Sequence, residues 1–152
     1  MPRILAVDWG ERRIGLAVSD DLGILATGLP TLEIRGEAEA VARVADTIRT
    51  VEADSVVVGL PLTLKGERGE AARAVERFAE ALRRETPVVV SLYDERLTSA
   101  LAERRMRERG EKRGTRAKRG SGRKGRVDQG AAVALLEGWL AKLRIEREGD
   151  AT

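Results

Sequence analysis

Two amphipathic helical patterns alternate with short apolar segments across the middle of the sequence. Apolar residues recur at helical spacing from Glu37 to about Val51 and again from Glu70 to Arg84. The segments Ser55 to Leu60 and Pro87 to Leu92 follow these helices and are short and apolar, which is typical of buried strands. Strands that alternate with helices in this way pair in parallel, so the pattern predicts an α/β fold.

Three further strands are predicted before the first helix. Arg3 to Asp8 is an apolar segment that ends in a carboxylate. Beyond a short connection at Gly10, large apolar and small residues alternate from Arg12 to Ser19. A third strand is expected from about Ile24 to Leu32, where Pro30 favours a sheet edge or a strand end. These strands are expected to be antiparallel, which makes the sheet a mixed one of five strands flanked by helices.

The last third of the sequence is more polar. It predicts a charged helix from Leu97 to Arg109, a mobile basic loop over residues 110–127, and a final helix from about Asp128 to Arg144. The core-facing side of the final helix would carry Ala132, Leu135, Leu136, Trp139, Leu140 and Leu143. We therefore expect one domain over residues 1–145 and a frayed tail over residues 146–152.

The sequence contains no cysteine and no histidine. The first absence excludes disulfides and thiolate chemistry, and the second removes the usual neutral-pH base and the commonest metal ligand. Catalysis would have to rest on carboxylates, amines, hydroxyls or a bound metal. There is no signal-peptide pattern and no apolar run of about 18 residues, which predicts a soluble, cytoplasmic protein without a membrane partner.

Positive charge is concentrated in one segment of the chain. Between positions 112 and 126 the sequence has eight basic residues and no acid: Lys112, Arg113, Arg116, Lys118, Arg119, Arg123, Lys124 and Arg126. Such a segment favours binding to the phosphates of a nucleic acid, either structured RNA or branched DNA. The alternative interpretation is a solvated loop without a partner.

Three acidic positions come from well-separated parts of the chain. Asp8 ends the first strand, Asp94 and Glu95 follow the fifth, and Asp128 begins the final helix. Clustered carboxylates predict a site for Mg²⁺ or Mn²⁺. The alternatives are a turn at Asp8 and a helix N-cap at Asp128. Glu95 is preferred over Asp94 as the middle acid, although the sequence does not decide between them, nor between one metal and two.

Four side chains near these acids could contact a nucleic acid. Arg96 is a candidate phosphate ligand, with a surface ion pair as the alternative interpretation. Trp9 could stack on a base, but packing within the protein explains it equally well. Lys65 and Arg68, in the loop after the fourth strand, are weaker candidates of the same kind.

Four short motifs in this order and spacing resemble those of the bacterial YqgF/RuvX family, within the ribonuclease H-like superfamily. They are Ala6-Val7-Asp8-Trp9-Gly10, Val58-Gly59-Leu60-Pro61-Leu62, Asp94-Glu95-Arg96-Leu97-Thr98 and Asp128-Gln129-Gly130-Ala131-Ala132. The resemblance extends from Arg3 to about Leu143. It implies a ribonuclease H-like fold and a nuclease whose catalytic, metal-binding acids are Asp8, Glu95 and Asp128. Many ribonuclease H-like proteins carry an acid at the end of the fourth strand, where this sequence has none, so Glu95 would take its place.

The resemblance also implies the substrate. The expected function is a metal-dependent endonuclease that processes the 5′ end of pre-16S rRNA during ribosome biogenesis. One alternative is a Holliday junction resolvase acting in recombination and repair, which must make paired cuts and therefore favours a two-fold homodimer. Another is a nucleic-acid-binding module without catalysis. A nucleotide-binding domain like those of actin-like ATPases is disfavoured, because that fold needs two such domains and this chain is long enough for one.

Overall fold

The computed structural model describes residues 2–63, 65–96 and 122–150, except for the side chains of residues 122–129 and 150. In these ranges five strands form one sheet: β1 (Ile4–Asp8), β2 (Arg13–Ser19), β3 (Ala26–Glu33), β4 (Ser55–Leu60) and β5 (Val89–Asp94). The helices within the same ranges are α1 (Glu37–Thr50), α2 (Glu70–Glu85) and α3 (Gly122–Asp150).

The strand order is β3-β2-β1-β4-β5. The pairs β1–β2 and β2–β3 are antiparallel, whereas β1–β4 and β4–β5 are parallel. The predicted five-stranded mixed sheet is therefore confirmed. Pro30 lies in β3, at the edge of the sheet, where a residue without a backbone N–H costs no internal ladder bond.

Helices cover both faces of the sheet, and alternation along β1 shows which side chain meets which layer. Leu5 and Val7 belong to the core formed with α1 and α2, whereas Ile4 and Ala6 belong to the core formed with α3. By the same alternation Asp8 falls on the α3 face. In the part of the chain that the structure describes, no helix is long and apolar enough to cross a membrane.

Two strand boundaries differ from the prediction for physical reasons. β3 begins at Ala26 because the Asp20 carboxylate accepts the backbone N–H groups of Ile24 and Leu25 at 2.7 and 3.2 Å, which keeps these two residues in the turn. β5 spans Val89–Asp94 rather than Pro87 to Leu92, because it pairs with β4 from Ser55 to Leu60 along its whole length. Asp94 is therefore the last residue of a strand.

The final helix is longer than predicted at both ends. It begins at Gly122, so the prediction of a loop is wrong for residues 122–127, and Asp128 lies inside the helix rather than at its N-cap. It also continues to Asp150, so residues 146–150 are helical rather than a frayed tail. The apolar stripe marked only the turns that pack on the sheet, and the polar turns at either end carry no such signal. The predicted helix from 97 to 109 and loop residues 110–121 lie outside the described residues.

Candidate functional site

The carboxyl ends of three neighbouring parallel strands meet at one edge of the sheet. β1 ends at Asp8, β4 at Leu60 and β5 at Asp94, with β4 between the other two. In open α/β sheets this edge is where ligands bind, because the strands stop there and leave a crevice. Topology therefore brings two of the three acidic segments predicted from the sequence to the same place.

Asp8 lies between two glycines on the α3 face of the sheet. Its partner on β2 is Gly15, and the next position of the β1–β4 register, after Val7 and Val58, is Gly59. Neither neighbour carries a side chain, so the sheet surface on both sides of the half-buried Asp8 carboxylate is bare backbone. A glycine inside a strand often marks a place where another group approaches closely.

The group that approaches Gly59 is the carboxylate of Glu95. A Cβ atom built on Gly59 would lie 3.3 Å from Glu95 Oε1 and 3.5 Å from Leu135 Cδ2 of α3. The Glu95 carboxylate therefore lies over β4 on the same face as Asp8, next to the helix that carries position 128. Glu95 occupies the space that a side chain at the end of the fourth strand would otherwise fill.

Asp94 has a different environment from its neighbour. Its carboxylate accepts bonds from Arg96 Nη2 at 2.7 Å, from Arg96 Nε at 3.0 and 3.1 Å to the two oxygens, and from the Arg96 backbone N–H at 3.0 Å. The Arg96 guanidinium holds the pKa of Asp94 below its usual value, and the same contact raises the pKa of Arg96. Of the two interpretations of Arg96, the ion pair is the one observed, and phosphate binding stays a prediction.

Trp9 packs inside the protein. Its ring lies against Phe78 of α2, with centroids 4.7 Å apart and planes inclined by 33°. This contact is on the α1 and α2 side of the sheet, opposite to the face that Asp8 occupies. Packing therefore accounts for Trp9 without a nucleic acid.

The third acid is described only through its backbone. Position 128 is helical and precedes Ala132 by four residues, about one turn before a side chain that is buried against the sheet. Among the described side chains, which do not include Asp128, no three acids are close enough to hold a metal ion. A three-acid site would therefore need Asp128 beside Asp8 and Glu95.

The predicted basic residues fall largely outside the described part of the chain. The five from Lys112 to Arg119 lie in the range that the structure does not describe. Arg123, Lys124 and Arg126 stand in the first turns of α3 instead of a loop, and only their backbone is described. In the loop after β4, Arg68 pairs with Glu76 of α2 at 2.8 Å.

Sequence reasoning missed the two glycines that neighbour the acids: Gly15, which pairs with Asp8, and Gly59, which borders Glu95. Gly15 and Gly59 both occur in buried strands, where glycine weakens β structure and so calls for a reason. The sequence carries this signal, although from the sequence alone Gly59 indicates only that no acid ends the fourth strand. The structure shows that it borders the Glu95 carboxylate.

Comparison with known proteins gives one matching family model and many similar sequences. Residues 2–142 match the model described as "RuvX: Holliday junction resolvase". A protein of Nocardia farcinica named "Putative pre-16S rRNA nuclease" is 46% identical over 145 residues, which cover 91% of this chain and 77% of that one. A protein of the same name from Anaeromyxobacter dehalogenans is 43% identical over 138 residues, covering 91% and 96% of the two chains.

A solved structure has the same fold. The Thermus thermophilus RuvC protein, solved in complex with a Holliday junction substrate, superposes with a TM-score of 0.58 at 18% sequence identity. The match covers 94% of this chain and 96% of that one. At this identity the likeness concerns the fold, and it confirms the predicted ribonuclease H-like class.

Proposed function

The chain belongs to the RuvX family, and we propose that it is a metal-dependent endonuclease that hydrolyses phosphodiester bonds in a structured nucleic acid. The observation that carries the proposal is the position of Asp8 and Glu95. Their segments end β1 and β5, the two strands on either side of β4, they share the α3 face, and Gly59 of β4 lies between them. Two carboxylates at the carboxyl ends of these strands fit the metal-binding site of a nuclease.

The donor set fits a hard divalent cation. Asp8 and Glu95 offer carboxylate oxygens, and we assign Asp128 as the third ligand because it precedes, on the same helix, Leu135, which lies beside Gly59. Carboxylates held close together repel each other unless a cation balances their charge. Oxygen ligands alone favour Mg²⁺ or Mn²⁺ over zinc. When bound, such ions lower the pKa of water and neutralise charge on the phosphate and the leaving oxygen.

Two further functions, phosphate binding and proton transfer, would be performed by side chains of this chain. The basic residues between positions 112 and 126 would hold backbone phosphates, so they would set affinity and salt dependence and add little sequence preference. With no histidine in the sequence, proton transfer near the scissile bond would involve water and the carboxylates. Asp8, Glu95 and Asp128 are therefore the proposed catalytic residues.

Pre-16S rRNA is the preferred substrate, because relatives at 46% and 43% identity are named "Putative pre-16S rRNA nuclease", and we expect cleavage at its 5′ end. This role would place the protein in the cytoplasm during ribosome biogenesis. Resolution of four-way DNA junctions in recombination is the second candidate, favoured by the description of the family. It would require a homodimer with two sites that cut symmetrically.

The first test compares the two substrates directly. The purified protein is incubated with a labelled pre-16S rRNA 5′ fragment and with a labelled four-way DNA junction, in Mg²⁺, Mn²⁺ or EDTA. We expect cleavage of the RNA at a defined position, with either ion and not with EDTA, and products are mapped on sequencing gels. Paired symmetric cuts in the junction, without RNA cleavage, would favour the second candidate. Binding without cleavage of either substrate would favour a non-catalytic module.

Gly59→Ala tests the close approach of Glu95 to β4. The new methyl group would lie 3.3 Å from Glu95 Oε1, so the carboxylate tip has to move by a few tenths of an ångström. Because small misplacements at a reacting centre are costly, we expect kcat to fall by roughly tenfold to a hundredfold. The melting temperature should change little, since alanine fits a buried strand.

Gly36→Ala is the matched control for this substitution. Gly36 has extended backbone at the start of α1, and a Cβ atom there would meet nothing within 4 Å. Its kcat should equal that of the wild type. Equal activity of the Gly59 and Gly36 variants would show that the Glu95 carboxylate does not need its position over Gly59.

A further inference from the structure

Asp94 and Arg96 flank Glu95 in the sequence and bind each other around it. The Asp94 carboxylate accepts the Arg96 backbone N–H at 3.0 Å in the manner of a helix N-cap, and Glu95 and Arg96 are helical directly after β5. The two side chains then pair through Arg96 Nε and Nη2, at 2.7 to 3.1 Å. The main chain of Glu95 is thereby held between Asp94 and Arg96. The Glu95 side chain lies over Gly59, on the face of the sheet opposite to the one that carries the Asp94 side chain.

The third guanidinium nitrogen of Arg96 faces the loop that follows β4. A Cβ atom on Gly66 would lie 3.4 Å from Arg96 Nη1, so the loop backbone rests against the guanidinium. Gly66 has a φ of +82°, a conformation that favours glycine, and its N–H donates to the Thr63 carbonyl at 2.8 Å. The Thr63 hydroxyl accepts the Glu67 N–H at 3.0 Å. Thr63, Gly66 and Glu67 therefore form a compact turn that packs against the Arg96 guanidinium.

We propose that the Asp94–Arg96 ion pair is a positioning device for Glu95 and for the loop after β4, described at residues 61–63 and 65–69. The pair fixes the end of β5, so that the Glu95 carboxylate stays over Gly59. The Arg96 guanidinium also supports the loop after β4, which packs against it beside the site. Neither residue touches the substrate. The inference rests on the proposed function only for its effect on catalysis, because the contact between Arg96 and the loop does not depend on nuclease activity.

The geometry argues against the simpler role of Arg96 as a phosphate ligand. Nε and Nη2 donate to Asp94, and Gly66 lies beside Nη1 and limits access to it. The carboxylate also balances the charge of the guanidinium, so the pair offers a phosphate little net attraction. A bidentate arginine–carboxylate pair with a third, backbone contact is a strong and directional arrangement that suits a structural task.

The test uses Asp94→Asn and Arg96→Lys, singly and together, in the full chain. Asn at position 94 keeps an acceptor for the backbone N–H but loses the charge. Lys at position 96 keeps the charge but loses the two parallel N–H donors of the guanidinium. Substitution of a partner that orients a metal ligand typically costs 10- to 100-fold in activity or metal affinity. We expect each variant to lower kcat by about that factor with KM for the nucleic acid unchanged, and the double variant to be no worse than either single one.

Two readouts do not depend on cleavage. The affinity for Mn²⁺ alone, measured from the electron paramagnetic resonance signal of the free ion, should fall by about tenfold in both variants. Trypsin should cut faster after Lys65 or Arg68, as identified by mass spectrometry, because the loop has lost this support. Asp46→Asn is the matched control, since it breaks an exposed Asp–Arg pair on α1, and it should change none of these values.

The outcomes separate this inference from the proposed function. An increase in KM for Arg96→Lys, with KM lowered in Asp94→Asn, would make Arg96 a phosphate ligand and overturn the inference. Unchanged trypsin cleavage in both variants would overturn it as well, whether or not the wild type cleaves nucleic acid. If the wild type cleaves neither substrate but both variants open the loop, the proposed function fails and the positioning role stands.

Discussion

Asp8→Asn is expected to abolish metal-dependent cleavage while the protein stays folded. Loss of a residue that only orients a metal ligand costs 10- to 100-fold, so loss of a ligand itself should lower kcat by more than about a hundredfold. Asn has nearly the same shape as Asp, and the site is an open edge between Gly15 and Gly59, so packing is retained. Activity is measured at saturating nucleic acid and Mn²⁺, together with the melting temperature.

The melting temperature supplies an independent part of this test. Mn²⁺ that binds the native state raises the melting temperature of the wild type, and the Asp8 variant should lose most of this increase. Asp21→Asn is the control, because Asp21 is 80% exposed and lies in the turn after β2, at the opposite edge of the sheet from Asp8. A variant at Asp8 that kept a tenth or more of the wild-type kcat would contradict the assignment of this residue as a metal ligand.

The elements that could be predicted well are those with a local signal. β4 has the predicted bounds, Ser55–Leu60, because five of its six residues are apolar or glycine, Asp54 precedes it and Pro61 follows it. α1 and α2 match their amphipathic patterns to within about one residue. β5 is displaced because its limits depend on pairing with β4, which is a long-range property. The ends of α3 were missed because polar helical turns have no periodicity.

The candidate site shows the same division between local and long-range information. The sequence identified the acidic segments, because a carboxylate at the end of an apolar strand is unusual. It could not decide between Asp94 and Glu95, since the choice depends on where β5 ends and which face each side chain then takes. The structure separates them by environment: Asp94 pairs with Arg96, and Glu95 lies over Gly59. A glycine inside a buried strand suggests that another group approaches the backbone there, and the fold shows that at Gly59 this group is the Glu95 carboxylate.

Phe78→Ala is expected to cause a large loss of stability that also reaches the site. Phe78 is fully buried between α2 and the sheet, and its ring lies against Trp9, the residue after Asp8. Replacement of a buried phenylalanine by alanine typically costs about 3–5 kcal/mol, because apolar contacts are lost and a cavity remains. For a chain of 152 residues we therefore expect the melting temperature to fall by roughly 10 °C.

The cavity should also loosen the connection after β1, since Trp9 would lose the ring against which it packs. We therefore expect kcat at 25 °C to fall in this variant even where most of the protein is folded, which circular dichroism at the same temperature would verify. Leu22→Ala is the control, because Leu22 is 68% exposed and its removal should change stability by less than about 0.5 kcal/mol. A melting temperature within about 2 °C of the wild type would mean that Phe78 does not hold α2 and Trp9 together.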